Sequence, residues 1–142
     1  MIASPQGPTG CICLSPPNLV PSPAARMTSD AFPIPTPWAY KNWSTSTELP
    51  GVLYAPQICP WGDMVNALER PVFEKHRLLP ALKTWLLDHA SVRAALMSGS
   101  GSTMFAITNT DVEAATLAEE ARRWCGDTAW VQATQTLSQS TP

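Results

Sequence analysis

One stretch limits what this chain can fold into more than any other. Residues 93–97 and 103–107 are two short apolar runs, and Ser98-Gly99-Ser100-Gly101-Ser102 lies between them. The runs read as strands, and the loop joining them as a tight, backbone-rich turn. Gly99 and Gly101 suit positive φ, where a side chain would clash. Successive N–H groups in such a turn can converge on an anion. Any fold for this chain must therefore hold a hairpin with a Ser/Gly loop at its tip.

The segments around that hairpin read mostly as helices. Thr36 suits an N-cap and Pro37 the first helical position, which predicts a short helix to about residue 43. Residues 44–60, punctuated by Pro50, Gly51, Pro56 and Pro60, read as a loop. A helix is predicted over 63–70, capped by Gly62 or Asp63 and broken or kinked by Pro71, with a turn or two more over 72–76. Pro80 opens a further helix, with Leu82, Trp85 and Leu86 on one face. After the hairpin, Thr110-Asp111-Val112-Glu113 is a capping box. The helix behind it places Ala114, Leu117, Ala118, Ala121, Trp124 and Cys125 on its core face, and Gly126 ends it. Residues 130–134 read as a last strand. The expected class is α+β, a small antiparallel sheet with helices packed on one face.

Composition sets the boundaries. Twelve of the fifteen prolines fall within residues 1–60. Residues 1–32 read as a Pro-rich disordered or extended arm, because such a composition buries too little apolar surface to offset the entropy of ordering. Within the arm, Cys11-Ile12-Cys13-Leu14 suits an edge strand, stopped by Pro16-Pro17. Residues 33–137 form one domain with a modest core, and 138–142 a tail.

Several functions are disfavoured. The net charge is −2 with both signs scattered, so nucleic acid and anionic membranes are not expected partners. No apolar run approaches the ~20 residues of a membrane span, and no signal peptide is evident, so the cytoplasm is the expected compartment. Cys11, Cys13, Cys59 and Cys125 stand at no metal-ligand spacing with His76 or His89. Reduced thiols and no metal site are expected.

The run Ala95-Leu96-Met97-Ser98-Gly99-Ser100-Gly101-Ser102-Thr103-Met104-Phe105 closely resembles the third motif of the GHMP kinases. Within that superfamily, Ile34-Pro35-Thr36-Pro37-Trp38-Ala39-Tyr40-Lys41 resembles a segment of the 4-diphosphocytidyl-2-C-methyl-D-erythritol kinases of non-mevalonate isoprenoid synthesis. Asn66-Ala67-Leu68-Glu69 is similar to their Asn-Asp-Leu-Glu, with Ala67 in place of Asp. The resemblance covers residues 33–137 and implies a ferredoxin-like C-terminal domain of an ATP-dependent, Mg²⁺-dependent phosphotransferase. The family's Gly-rich ATP loop, its catalytic Asp and partner Lys, and the domain's usual first strand have no counterpart in the residues. A truncated, split or frame-shifted chain explains that, and a separate N-terminal ATP-binding half is then the implied partner. No catalytic residue is assigned, and no kinase turnover is expected from the chain alone.

The resemblance also implies roles for particular residues. Ser98, Gly99, Ser100, Gly101 and Ser102 line the phosphate-transfer cleft, against a plain Gly-rich hairpin. Thr36, Pro37 and Tyr40 fall where a cytidine diphosphate-type substrate binds, with Tyr40 stacking on the cytosine. The residues themselves leave alternatives open. Tyr40 equally suits packing on Trp38 or Trp43, and Thr36 suits the N-cap. Asn66 and Glu69, three apart on one helix face, read as a surface or interdomain polar contact. His76 and His89 read as surface residues rather than bases, and Ser98 has no triad partner. The rival reading is a non-catalytic interaction or small-ligand-binding domain derived from a GHMP kinase.

Overall fold

The hairpin forms one side of a four-stranded antiparallel sheet. The computed structural model describes residues 10–15, 34–59, 62–126 and 129–135. Its sheet comprises β1 (Gly10–Ser15), β4 (Val92–Met97), β5 (Met104–Thr108) and β6 (Trp130–Gln135), in the order β4-β5-β1-β6. A two-stranded ribbon pairs β2 (Gln57–Cys59) with β3 (Gly62–Met64). The helices are α1 (Thr36–Asn42), α2 (Glu69–Lys75), α3 (Leu78–Leu87) and α4 (Asp111–Cys125). The class is α+β, as expected.

Register shows how the core is built. Ala95 pairs with Ala106, Ala106 with Ile12, and Ile12 with Ala133. Because side chains alternate across a strand, this row shares one face with Met97, Met104 and Val131. Onto that face α3 lays Leu82 and Leu86, and α4 lays Ala114, Leu117, Ala118 and Ala121. Each buried leucine contributes about 1.5–3 kcal/mol. The alanine stripe lets α4 lie close to β1 and β6. The capping box forms as expected: Thr110 Oγ1 accepts from the Glu113 N–H and Glu113 from the Thr110 N–H. Trp124 is 37% exposed and stacks on Trp85 rather than entering the core.

Three expectations are corrected. Cys11–Leu14 is not at an edge: β1 is an interior strand, with β5 on one side and β6 on the other. The rest of the 1–32 segment and the 138–142 tail lie outside the described residues. The 44–60 loop ends in strand β2, and the helix expected over 63–70 is replaced by β3 and a turn. Gly62, at φ +130°, lets the chain reverse and pair with 57–59 instead of winding. Helix α2 then starts at Glu69 and runs through Pro71. Proline stands third in both α2 and α3, within the first turn, where the N–H has no helical partner.

The outer edge of β4 is closed by side chains rather than by another strand. Gln57 Nε2 donates to the Ala95 carbonyl at 2.8 Å, and its Oε1 accepts the Ala95 N–H at 3.0 Å. The amide thus mimics a neighbouring strand and is itself buried. Replacing Gln57 by leucine strands two buried backbone groups at 1–3 kcal/mol each. We expect urea denaturation to show a loss of about 2–6 kcal/mol for Gln57→Leu; an unchanged midpoint would show that this edge needs no cap.

Candidate functional site

The Ser/Gly loop is fixed from three directions. Asn66, in the turn before α2, donates from Nδ2 to the carbonyls of Met97 (2.8 Å) and Gly99 (2.7 Å). Its Oδ1 accepts the Leu68 N–H. Glu69, at the start of α2, accepts the Met97 N–H at 2.8 Å. From α1, the Thr36 hydroxyl shares a 2.8 Å hydrogen bond with that of Ser100. The loop also closes on itself: the Ser98 N–H donates to the Thr103 carbonyl and the Gly101 N–H to that of Ser98. Those two N–H groups are spent inside the hairpin and do not converge on an anion.

Glu69 carries the most electrostatic weight. Its carboxylate meets Lys83 Nζ of α3 at 2.6 Å, and both side chains are 1% exposed. Lys83 also donates to the Leu53 carbonyl and lies near the rings of Phe73 and Tyr54. Burial outweighs the Lys83 and Met97 donors and holds the Glu69 carboxyl above the ordinary carboxylate range. The surface or interdomain contact expected at Glu69 is therefore an internal ion pair. Nor do Asn66 and Glu69 share a helix face, because Asn66 precedes the helix.

Beside the loop runs an open groove of about 790 Å³, within the range of small-molecule sites. One wall is Tyr40 and Trp43, a helical turn apart at the end of α1. The opposite wall is the ribbon and turn from Asp63 to Leu68. The floor comprises Leu96, Met97, Ser98, Gly99 and Phe105. Leu96 and Phe105 are cross-strand partners on the sheet face turned away from α3 and α4. Among the described lining residues Asp63 is the one carboxylate.

The residues predicted from the sequence divide accordingly. Tyr40, Ser98 and Gly99 line the groove together. Tyr40 is 66% exposed rather than half-buried. Ser100 serves as the tether to Thr36. Thr36 is the first helical residue rather than the N-cap; Pro35 takes that place, with no side-chain cap. Pro37 is exposed and outside the groove lining. Gly101 and Ser102 turn inward. At Gly101 the backbone has φ +98°, and a Cβ would come within 2.8 Å of Ile34 Cδ1 and 2.9 Å of Met97 Sδ, so only glycine fits. Ser102 is buried, its hydroxyl without a hydrogen-bond partner among the described residues. His76 and His89 are half-buried and away from the groove; His89 bonds to the Trp85 carbonyl and to Glu120. Sequence reasoning missed Trp43, Asp63 and the clamp by Asn66. The spacing of Trp43 from Tyr40 was the available signal.

No described helix is long and apolar enough to cross a membrane. Among the described residues, no group of three or more His, Cys, Asp or Glu gathers to hold a metal ion.

Comparison with known proteins places this architecture. A family model described as GHMP kinases C terminal matches residues 57–127. The chain is 34% identical over 110 residues to a 4-diphosphocytidyl-2-C-methyl-D-erythritol kinase of Methylacidiphilum infernorum; the match covers 76% of the chain and 38% of that protein. The enzyme of the same name from Thermodesulfovibrio yellowstonii is 33% identical over 96 residues, which cover 58% of the chain and 33% of the relative. A crystal structure of 4-(cytidine 5'-diphospho)-2C-methyl-D-erythritol kinase shares the fold with a TM-score of 0.55 at 20% identity, over 89% of the chain and 43% of that structure. The chain thus spans about two-fifths of the length of the Methylacidiphilum relative.

The Glu69–Lys83 pair yields a test. Lys83→Met leaves a buried carboxylate without its cation, a change that costs about 3–5 kcal/mol. Losing the cation raises the Glu69 carboxyl further in the folded state. A raised carboxyl contributes stability below its unfolded value near ~4.3 and loses it as pH rises. The deficit is therefore expected to be smaller at pH 4 than at pH 7 in urea titrations. A deficit independent of pH, or none, would contradict the assignment.

Proposed function

The chain belongs to the GHMP kinase family, as a C-terminal domain, and on that premise we propose that it is the substrate-side half of an ATP-dependent small-molecule kinase. The proposed substrate is 4-diphosphocytidyl-2-C-methyl-D-erythritol, the compound named in the matched relatives, and the proposed setting is cytoplasmic isoprenoid synthesis. The observation that carries this reading is the groove itself. An exposed aromatic side chain, Tyr40, and the entry of the Ser/Gly loop, Ser98 and Gly99, line one cavity. A flat apolar wall suits a nucleobase, and the polar entry of the Ser/Gly loop borders the same cavity, where the phosphates attached to that base would lie.

In this account the chain binds and orients. Tyr40 holds the cytosine face, and Ser98 and Gly99 border the diphosphate. The acceptor hydroxyl points toward an N-terminal half. ATP with Mg²⁺ supplies the transferred phosphoryl group, and phosphoryl transfer depends chiefly on placement and electrostatics. Among the described residues no three or more His, Cys, Asp or Glu gather as a donor set for a divalent cation, and in this reading ATP, Mg²⁺ and the general base are assigned to the N-terminal half. The groove's single carboxylate is consistent with that division of labour.

Calorimetric titration of the chain with cytidine 5'-diphosphate tests this reading. Binding is expected for the wild type and about tenfold weaker binding for Tyr40→Ala, since base–aromatic stacking is worth ~1–3 kcal/mol. The chain alone is expected to form no phosphorylated product from ATP. Absence of binding by the folded chain, or ATP-dependent turnover by it, would overturn the proposal.

A further inference from the structure

A second aromatic side chain of the groove is held in a way that Tyr40 is not. Trp43 closes α1, where helical carbonyls run out of partners. Its carbonyl accepts from the Ser46 N–H (3.3 Å), the Ser46 hydroxyl (2.6 Å) and Arg70 Nη2 (2.7 Å). The same Arg70 places its guanidinium 4.5 Å from the centre of the Trp43 ring, and its Nε donates to Ser46 Oγ at 3.0 Å. Backbone and indole are thus gripped by one side chain from α2. The ring nevertheless remains 43% exposed and lines the groove.

A large aromatic ring held by a cation and left open on a ligand groove is a preorganised stacking surface. Its freedom is already lost before a ligand arrives, which lowers the cost of binding. We infer that Trp43, fixed by Arg70, is a specificity-determining residue of the groove that stacks on the pyrimidine base of a cytidine diphosphate ligand. The inference rests on the proposed function and deepens it: Trp43 and Tyr40 form one aromatic wall, with Arg70 as a positioning residue that acts through Trp43.

The test titrates the full chain with cytidine 5'-diphosphate and, separately, with inorganic pyrophosphate, following tryptophan fluorescence and heat. Wild type is expected to bind the nucleotide with quenching. Trp43→Ala is expected to weaken nucleotide binding about tenfold, and Arg70→Ala about threefold, with any pyrophosphate binding unchanged in both. Trp43→Phe is expected to keep binding within about threefold but to lose the quenching, a signature that a merely structural role would not move. If Trp43→Ala fails to fold, Trp43→Phe carries the test, and quenching that persists in it overturns the inference. Nucleotide binding unchanged in a folded Trp43→Ala overturns the inference while leaving the proposed function standing. No nucleotide binding by the wild type overturns both.

Discussion

The Glu69 carboxylate is the joint on which the arrangement depends. Through Lys83 it fastens α2 to α3, and through the Met97 N–H it fastens both to the end of β4, where the Ser/Gly loop departs. Removing two charges from water is expensive, and a well-packed apolar pair would serve stability as well or better. What an apolar pair could not do is accept the last N–H of an edge strand. Asn66, three residues earlier, takes the carbonyls on either side of the loop entry, so one short segment clamps both polarities of the backbone there. The Thr36–Ser100 bond then draws α1 against the loop and sets the aromatic wall beside it.

The same logic explains how the edge of the sheet and the groove coexist. Strand β4 has β5 on one side and side chains on the other. Gln57 serves Ala95, Glu69 serves Met97, and the two flank in sequence the Asp63–Leu68 segment that lines the groove. The edge caps and the groove wall are therefore one structure. A groove built this way is anchored to the core, while its aromatic wall stays open to solvent.

Much of this was legible in the residues, and the failures have physical causes. The hairpin, the capping box and the periodic face of α4 are local signals; the first two form as read, and the third holds from Ala114 to Ala121 and at Cys125 but not at Trp124. Strand β1 was misplaced to an edge because its partners, such as Ile107 and Ala133, lie near the other end of the chain, and nothing local reports them. The 63–70 segment looked helical from Asp63 and its spaced apolar residues, but pairing with 57–59 outweighed that preference. Pro71 looked like a helix breaker because the helix was placed too early; shifted to start at Glu69, it puts the proline where it is tolerated. In the site, Tyr40, Ser98 and Gly99 were reached through resemblance. Asn66 and Glu69 were noticed, but their partners on β4 and α3 belong to tertiary structure. In the sequence Trp43 offers only packing for Tyr40, since the guanidinium that fixes it comes from Arg70, far along the chain.

The proposal at stake is that this GHMP kinase C-terminal domain carries a preformed nucleotide groove. Its most direct test is a map of amide and indole NMR shifts in the isotope-labelled chain as cytidine 5'-diphosphate is added. Changes are expected at Tyr40, the Trp43 indole, Val65 to Leu68, Ser98 and Gly99, with α4 and β6 unmoved. Changes centred on α4 or β6, or none at saturating nucleotide, would contradict it.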